Sequence, residues 1–314
     1  MDGGTLRRPW SIVSWHGLAS CLIILFATAC QPKSPTVTLA LLGDLMLGRG
    51  VNPQPNSLTF LKQDLANADL VLANLESPLA TVLSPKDSAY NLCTLSDRAK
   101  YLSDWGIDLV SIANNHNLDC GPKGVAETRA ILETVGITSI GPGLQPIYRN
   151  INGLRLAFLA LDDISSELDA DAASQAIYTA RNTGALVVVS IHWGAEYQGG
   201  ASEQQKSLAD QFARAGASLI WGHHSHVLQP ATWINSSQGK TLVLFSLGNA
   251  LFDQGGLDAT RQSALVVITI NTSGVAAVRS VPFEIVVGNS RVVQPDAETA
   301  KKIKEMFNLP LPDE

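Results

Sequence analysis

The sequence predicts an α/β domain in which strands alternate with helices. Three observations favour this fold class. Continuous apolar runs of strand length recur along the chain, each run is followed by a polar turn and then by a helical pattern, and no linker interrupts the chain after Thr36. Strands and helices that alternate in this way predict one domain with a mostly parallel or mixed sheet covered by helices. Ligand sites in such domains lie at the carboxyl ends of the strands.

The predicted strands are apolar throughout, as expected of strands that are buried on both faces. The first covers residues 37–42 and ends at Gly43-Asp44. Comparable apolar runs lie at residues 70–73, 109–113, 154–161, 186–191, 219–221, 242–247 and 264–270. The strands from Leu242 onward have shorter connections, which can allow antiparallel pairing.

The predicted helices occupy the stretches between these strands. Their apolar residues recur at helical spacing over residues 57–66, 96–105, 123–135, 172–181 and 203–215. Pro122 lies near the first turn of the third helix, where its missing N–H costs nothing. The apolar face of this helix includes Ala130 and Ile131. We expect it to support the preceding loop from behind.

Residues 1–30 read as an export signal of the lipoprotein type. Arg7 and Arg8 precede an apolar run over residues 18–29, which is short for a membrane span. Small residues directly before Cys30 resemble a bacterial lipoprotein cleavage box, in which Cys30 becomes the lipidated first residue, although Ala27 stands where Leu is more usual. An ordinary signal peptide or an uncleaved anchor is the alternative. In each case we expect an exported protein of the cell envelope, lipid-anchored to a membrane or periplasmic, with residues 31–35 as a polar tether.

Charge and cysteine content narrow the functional classes. The net charge is −6, and no run of Lys or Arg occurs, which argues against a nucleic-acid-binding surface. Of the four cysteines, Cys21 lies in the leader and Cys30 is the lipidation candidate. Cys93 and Cys120 can form a disulfide in an oxidising compartment, or both can be buried thiols; the sequence leaves both alternatives open.

The histidines indicate a metal site. Apart from His16 in the leader, they fall in three places where an apolar strand gives way to a polar turn: His116, His192 and the group of His223, His224 and His226. Alternate side chains on an extended segment share a face, so His224 and His226 can converge on one cation or on two neighbouring cations. Exposed loop histidines are the alternative for this cluster taken alone.

Other strand ends carry oxygen ligands. Asp44 follows the first strand, Glu76 the second, and Asn115 precedes His116 after the third. Carboxylates, an amide and imidazoles form a ligand set suited to one or two divalent ions such as Mn, Zn or Fe. Asp44 in isolation could equally be a helix N-cap. The combination predicts a cation site at the carboxyl ends of the strands.

Six motifs, in order, resemble the CapA family of poly-γ-glutamate capsule proteins. They are Gly-Asp-x-Met-x-x-Arg, Asn-Leu-Glu, Ala-Asn-Asn-His, His-Trp-Gly-x-Glu-Tyr, Gly-His-His-x-His-Val-x-Gln-Pro and Ser-Leu-Gly-Asn-x-x-Phe-Asp, between Thr36 and Val286. This family is similar in turn to the calcineurin-like metallophosphoesterases. The resemblance implies a four-layer αββα sandwich over residues 36–287, followed by a C-terminal tail with a short helix over residues 288–314.

The resemblance also implies roles for individual residues. His116 would face the substrate as a proton donor, and Glu76 would stand where the phosphoesterases place a bridging carboxylate. The implied metal ligands are Asp44, Glu76, Asn115, His192, His224 and His226. Side chains expected to support these ligands are Asn74, Glu196, His223, Asn249 and Asp253.

One position departs from the phosphoesterase pattern. Met46 occupies the place of the His in the usual Asp-x-His of the first strand, and a thioether is a poor ligand for a hard cation. The position served by Asp44 and His226 would then bind its ion weakly, and Met46→His would strengthen it. The alternative is that Met46 only packs beneath the loop. Arg49 is a candidate for binding an anionic substrate group, with a surface or ion-pairing role as its alternative.

Two functional hypotheses follow. In the first, the protein is a metal-dependent hydrolase or transferase of the envelope that acts on an anionic polymer or a phosphoester, with His116 protonating the leaving group. In the second, it is a non-catalytic binding component of a polymer synthesis or export assembly, and its partners include membrane-bound capsule synthesis proteins. Fold resemblance cannot separate the two, because function belongs to the site.

Overall fold

The computed structural model describes residues 1–4, 10, 34–83, 90–307 and 309–310. It separates two compact units, Met1–Lys33 and Ser34–Glu314. The predicted export signal, apart from a few residues at its start, the lipidation candidate Cys30 and residues 31–33 of the tether lie outside the described residues. Among the helices in the described part of the chain, none is both long enough and apolar enough to span a membrane.

The strands of the second unit include every apolar run expected to form a strand. In chain order the strands among the described residues are β1 Val37–Leu45, β2 Leu70–Leu75, β3 Leu79–Ala80, β4 Thr94–Leu95, β5 Leu109–Ser111, β6 Thr138–Ile140, β7 Gly143–Ile151, β8 Leu154–Asp162, β9 Leu186–His192, β10 Ala217–His223, β11 Leu228–Ser236, β12 Gly239–Leu247, β13 Asn249–Leu251, β14 Gln262–Asn271, β15 Gly274–Val286 and β16 Arg291–Val293.

The five predicted helices are confirmed within a few residues. In chain order the α-helices of the described residues are α1 Lys62–Ala66, α2 Lys100–Asp104, α3 Gly124–Thr134, α4 Ala170–Asn182, α5 Glu203–Ala215 and α6 Ala297–Phe307. Short 3-10 turns at Thr59–Leu61 and Ser96–Ala99 begin the first two, and a third lies at Asp258–Thr260. The last α-helix, α6, lies in the C-terminal tail, where a short helix was expected.

Two large sheets form the domain. The first has the order β16-β15-β14-β1-β2-β5-β6, with β13 also paired to β1, and the second has the order β11-β12-β10-β9-β8-β7. In the first sheet, β1, β2, β5 and β6 run parallel to one another. In the second sheet, β12, β10, β9 and β8 do the same. Strand β12 pairs parallel with β10 but antiparallel with β11, and β14 pairs antiparallel with β1 and β15. The late strands therefore pair antiparallel, as expected, between β12 and β11 and between β14 and β15, whereas β12 pairs parallel with β10.

The sheets face each other across an apolar layer, and helices cover their outer faces. Leu41 and Leu72 of the first sheet pack in this layer with Phe158 and Trp221 of the second. Helices α1, α2 and α3 pack on the outside of the first sheet, and α4 and α5 on the outside of the second. The expected four-layer αββα sandwich is thus confirmed.

A close crossing of the backbone shapes the end of β1. A Cβ atom on Gly43 would lie 1.8 Å from the carbonyl oxygen of Gly248, so only glycine allows this approach. The backbone N–H of Asp44 donates to that same oxygen at 3.0 Å. The register of β1 against β2 shifts between Leu41 and Asp44. This irregularity directs the Asp44 side chain toward the polar groups at the ends of the neighbouring strands.

Cys93 and Cys120 form a disulfide, which decides between the two alternatives that the sequence left open. The bond ties the segment before β4 to the loop between β5 and α3. That loop contains Asn115 and His116. Helix α3 begins directly after the loop and holds Leu79 through the Thr128 hydroxyl, which accepts the Leu79 N–H at 2.9 Å.

Candidate metal centre

Asp44 lies at the centre of the polar groups, with none of its surface exposed. Its Oδ1 atom accepts the Asn74 side-chain amide at 2.8 Å and its Oδ2 atom accepts the backbone N–H of His224 at 3.1 Å. Burial by itself would raise the pKa of Asp44, but the hydrogen bond and charge of His223, with the charge of His226, hold the pKa below its ordinary value. Asp44 therefore contributes a carboxylate anion.

Glu76 is fully buried, and neither carboxylate oxygen has a hydrogen-bond donor among the described residues. Its Oε1 atom lies 3.7 Å from Nε2 of His192. Burial raises the pKa of Glu76 well above its ordinary value, and the charge of Asp44 raises it further. A buried carboxylate without partners costs several kcal/mol, so this group requires a proton or a cation.

His192 and His224 place their ring nitrogens beside these carboxylates. Nε2 of His192 lies 3.0 Å from Nδ1 of His224. Nδ1 of His192 faces the amide of Asn74 at 3.3 Å. Burial lowers the pKa of His192 well below its ordinary value and also lowers the pKa of His224. Both rings are therefore neutral, which is the form of imidazole that binds a metal.

The loop after β10 holds His224 and His226 in the left-handed region, with φ of 89° and 57°. Non-glycine residues adopt this region at a cost of about 1–3 kcal/mol each, and such strain concentrates at functional sites. Nδ1 of His226 lies 2.9 Å from Oδ1 of Asn249. Asn249 thereby fixes the ring orientation and leaves Nε2 as the nitrogen available to a metal.

Asn74 and His223 support this arrangement. Asn74 contacts both Asp44 and His192, as described above, and its Oδ1 atom accepts the amide of Asn114 at 3.2 Å. His223 is buried, with Nε2 3.1 Å from the Ser190 hydroxyl and Nδ1 3.4 Å from Oδ1 of Asp44. These side chains fix the orientations of the groups that surround them.

Six of these side chains form two groups. The ligand atoms of Asp44, Glu76 and His192 lie within 4.8 Å of one another, and so do those of Glu196, His224 and His226. The first group is buried, whereas Glu196 in the second is exposed. The sequence analysis joined Asp44 to His226, and Nδ1 of His226 lies 3.5 Å from Oδ2 of Asp44, so the two groups are in contact. The backbone N–H of Tyr197 donates to the carbonyl of Ser225, which brings Glu196 against the His224–His226 loop.

Asn115 and His116 lie in the loop after β5. The Oδ1 atom of Asn115 is buried and has no hydrogen-bond partner among the described residues. Nδ1 of His116 lies 2.9 Å from Oδ2 of Asp119. The His116 side chain is 16% exposed, so a bound substrate can reach it. Asn115 thus presents an unused ligand atom, and His116 an imidazole that a carboxylate orients.

Arg49 is held by Asp253. Its Nε donates to Oδ2 of Asp253 at 2.7 Å, and its NH2 group contacts Oδ1 of the same carboxylate. The guanidinium also lies 5.6 Å from the ring centre of Phe252. The Asp253 hydrogen bond raises the pKa of Arg49. The side chain is 30% exposed, so it presents a fixed positive charge at the surface.

Met46 is fully buried and belongs to the apolar cluster between the first sheet and its helices. Its backbone N–H donates to the carbonyl of Leu251 at 2.9 Å. This environment supports the packing alternative for Met46, because the surrounding residues of the cluster are apolar.

The donor set fits divalent cations. Asp44 and Glu76 supply oxygen atoms, and His192, His224 and His226 supply ring nitrogens. In the described part of the chain neither Glu76 oxygen has a hydrogen-bond donor. Mixed carboxylate and imidazole ligands suit Mn, Zn or Fe. The Oδ1 atom of Asn115 is a further buried oxygen that has no hydrogen-bond partner among the described residues and could bind a metal. These buried acceptors provide the fit independently of any resemblance.

Sequence reasoning missed the contributions of two residues and underestimated a third. Asp119 stands three residues after His116, a spacing that allows a contact within one turn. Asn114 is buried and donates to the Leu75 carbonyl at 2.9 Å, which joins β2 to this loop. Glu196 was expected only as a supporting residue, because nothing in its local sequence shows that its carboxylate lies beside two imidazoles.

A family model and curated relatives match this chain over most of its length. Residues 38–254 match the family model described as Bacterial capsule synthesis protein PGA_cap. Capsule biosynthesis protein CapA of Bacillus anthracis is 31% identical over 296 residues, which cover 83% of this chain and 70% of the relative. PGA biosynthesis protein CapA of Bacillus subtilis (strain 168) is 28% identical over 318 residues, covering 90% of this chain and 82% of the relative.

A solved structure agrees with the fold. The crystal structure of a hypothetical protein from Thermus thermophilus covers 79% of this chain and 99% of its own, with a TM-score of 0.52 and 18% sequence identity. At this identity the likeness bears on the fold alone. The family match spans most of the domain and includes the strand-end motifs that form the site. The chain therefore belongs to the bacterial capsule synthesis protein family PGA_cap.

Proposed function

We propose that this protein is a metal-dependent hydrolase of capsule poly-γ-glutamate synthesis or processing, acting on an anionic polymer or a phosphoester. The observation that carries the proposal is Glu76, a fully buried carboxylate whose two oxygens have no donors among the described residues and which lies beside Asp44 and His192. Such a group is costly in the folded protein unless a proton or a cation neutralises it, and the ligand atoms of Asp44 and His192 beside it favour a cation. The family membership supports the capsule context.

Asp44, Glu76, Asn115, His192, His224 and His226 would hold one or two divalent ions. When bound, such ions polarise an ester or amide carbonyl or a phosphoryl group and activate water near neutral pH. Asn249 orients His226 by accepting a hydrogen bond from its Nδ1 atom through Oδ1, and the Asn74 amide contacts Nδ1 of His192 at 3.3 Å. Ligands oriented in this way keep the site ready for its ion.

His116 is placed to move a proton. Asp119 engages its Nδ1 atom at 2.9 Å, so Nε2 is the nitrogen left to exchange a proton with a substrate. A proton donor lowers the barrier most when the leaving group is a poor one, such as an alkoxide or an amine. In the proposed reaction His116 protonates the leaving group as its bond breaks.

Arg49 marks the side from which an anionic group would approach. Its guanidinium is fixed by Asp253, which reduces its net attraction for anions, and the side chain remains 30% exposed. A cavity of about 400 Å³ that Asn117 and Leu118 help to line, next to His116, also includes the acidic residues Asp162, Glu167 and Asp169 in its lining. A polyanion is repelled from that cavity, so we place the bound polymer on the Arg49 side.

The decisive test is turnover by the purified full chain after metal removal and reconstitution with Mn, Zn or Fe. Substrates should include bis-p-nitrophenyl phosphate and poly-γ-glutamate, with polymer length followed by gel electrophoresis. We expect metal-dependent turnover that Glu76→Gln abolishes. Metal binding without turnover on either substrate would instead support the alternative, a non-catalytic binding component that works with membrane-bound capsule synthesis proteins.

We also propose that the protein is exported and lipid-anchored through Cys30. The disulfide between Cys93 and Cys120 supports an oxidising compartment, because such bonds are rare in the cytosol. Metabolic labelling with palmitate should mark the wild-type protein and not a Cys30→Ala variant, which should leave the membrane fraction. Equal labelling of both proteins would rule out Cys30 as the anchor.

A further inference from the structure

We propose that Glu196 is a metal ligand and supplies the coordination that Met46 cannot. The inference rests on the proposed metal centre and specifies one of its two positions. It assigns Asp44, Glu76 and His192 to an inner ion and Glu196, His224 and His226 to an outer ion. Glu196, which lies in the loop after β9, thereby replaces the ligand that the first strand would supply.

Distances between ligand atoms carry the first step. The carboxylate of Glu196 and the ring nitrogens of His224 and His226 lie within 4.8 Å of one another, which is a span that a single ion can bridge. An exposed acid beside histidines is common without an ion. The contacts that hold the Glu196 loop in place therefore provide a second line of evidence.

The loop that carries Glu196 is fastened to the loop that carries the imidazoles. The backbone N–H of Tyr197 donates to the carbonyl of Ser225, between His224 and His226, at 2.8 Å. Tyr197 has a φ of 62°, in the left-handed region, so this contact is made at a cost in backbone energy. Strain in both loops at the point where three ligand groups meet indicates a functional constraint.

Buried amides brace the same loop from its other side. The Gln229 side chain is fully buried, and its Nε2 donates to the carbonyls of Gln198 and Gly200 at 2.8 and 3.2 Å. Oε1 of Gln229 accepts the Gln205 amide at 3.1 Å. An ordinary surface turn does not need this internal support. The bracing fixes the chain immediately after Glu196.

Electrostatics favours a cation between the two groups. Both groups of ligands contain carboxylates, Asp44 and Glu76 in the first and Glu196 in the second. Placing Asp44, Glu76 and Glu196 together is unfavourable by mutual repulsion. Divalent ions would convert this repulsion into attraction for all three groups.

Met46 cannot serve the outer position from where it lies. It is fully buried among the apolar residues on the helix side of the first sheet. An imidazole introduced there would be surrounded by apolar side chains, so Met46→His should lower the stability of the folded protein without adding a metal ligand. Met46→His should therefore leave the affinity for the outer ion unchanged.

The test compares Glu196→Gln with Glu203→Gln in the metal-free full chain. Glu203 is a matched control, since its side chain is 91% exposed on the following helix and contacts Lys206. Calorimetric titration with Mn²⁺ measures each binding step, elemental analysis measures the ions bound, and electron paramagnetic resonance detects coupling between two Mn²⁺ ions. Circular dichroism confirms that each variant is folded.

We expect two ions in the wild type and in Glu203→Gln. Glu196→Gln should weaken one binding step at least about 10–100-fold, the range seen when only a supporting residue is lost, and should abolish the coupled signal. Two ions of unchanged affinity in Glu196→Gln would overturn the inference while leaving the proposed function intact. A stronger second step in Met46→His would also overturn it. A wild type that binds no divalent ion would refute the proposed function as well.

Discussion

Nδ1 of His116 lies 2.9 Å from Oδ2 of Asp119, three residues later in the same loop. That carboxylate oxygen also accepts the backbone N–H of Leu92 at 2.7 Å. The next residue, Cys120, is joined by a disulfide to Cys93. The imidazole is therefore oriented by a carboxylate that two separate chain segments hold in place.

The role of His116 as a proton donor predicts a dependence on the leaving group. We expect His116→Gln to lower kcat by about 10²–10⁴-fold on a phosphodiester with an alkyl leaving group. The loss should be much smaller with a p-nitrophenyl leaving group, which departs without a proton. Bound metal should stay at the wild-type level as a control. Equal losses on both substrates would show that His116 acts in another way.

Asp119 should act through His116. We expect Asp119→Asn to lower kcat less than His116→Gln does, with KM nearly unchanged, since it removes the orienting charge and not the donor. The double variant should be no worse than His116→Gln alone. Additive losses in the double variant would mean that Asp119 affects turnover independently of His116.

Glu76 should release a proton when the cation binds. Its pKa is raised from 4.5 by burial and by Asp44, so between pH 4.5 and the folded pKa the metal-free folded protein retains a proton that the unfolded chain has lost. The stability contributed by this protonated group is present below pH 4.5 and is lost as the pH rises through the folded pKa. A bound cation replaces the proton.

Calorimetry in buffers of different ionisation enthalpy measures this release. At a pH between 4.5 and the raised pKa of Glu76, we expect Glu76→Gln to release fewer protons than the wild type on binding Mn²⁺. A variant with wild-type proton release would show that Glu76 is already ionised without metal. Tm measured against pH for both metal-free proteins provides a second check.

The disulfide should contribute measurably to stability. Cys93 and Cys120 are separated by 27 residues, and closing a loop of this size stabilises a protein by about 2–4 kcal/mol. Urea unfolding of the wild type should shift to a lower midpoint in dithiothreitol. A Cys93→Ser/Cys120→Ser variant should start at that lower midpoint and not respond to the reductant. An unchanged wild-type midpoint would show that the bond adds no stability.

The strands that the sequence identifies are those buried on both faces. Strands β8 and β9 are almost entirely buried and read as continuous apolar runs. By contrast β7 and β15 are missed, because exposed and half-buried residues interrupt them and each contains a proline. These are antiparallel strands outside the parallel part of each sheet, where one side faces solvent, so their composition resembles that of loops.

The site was predictable to the extent that its residues follow strands. Asp44, Glu76 and His192 meet because parallel strands end at one edge of each sheet, and the motif order identified them. The placement of Glu196 depends on a left-handed Tyr197 and on its hydrogen bond to Ser225, neither of which has a local sequence signal. Met46 stands at the His position of the phosphoesterase Asp-x-His pattern, and its burial in an apolar cluster has no local sequence signal.

Crystals of the full chain grown with Mn²⁺ would test the metal centre most directly, by anomalous diffraction at the manganese edge. Our account predicts one peak among Asp44, Glu76 and His192 and a second among Glu196, His224 and His226. It also predicts that soaking with a chelator removes the outer peak first, since Glu196 is exposed. Fully loaded crystals that show no anomalous peak at these side chains would contradict the account.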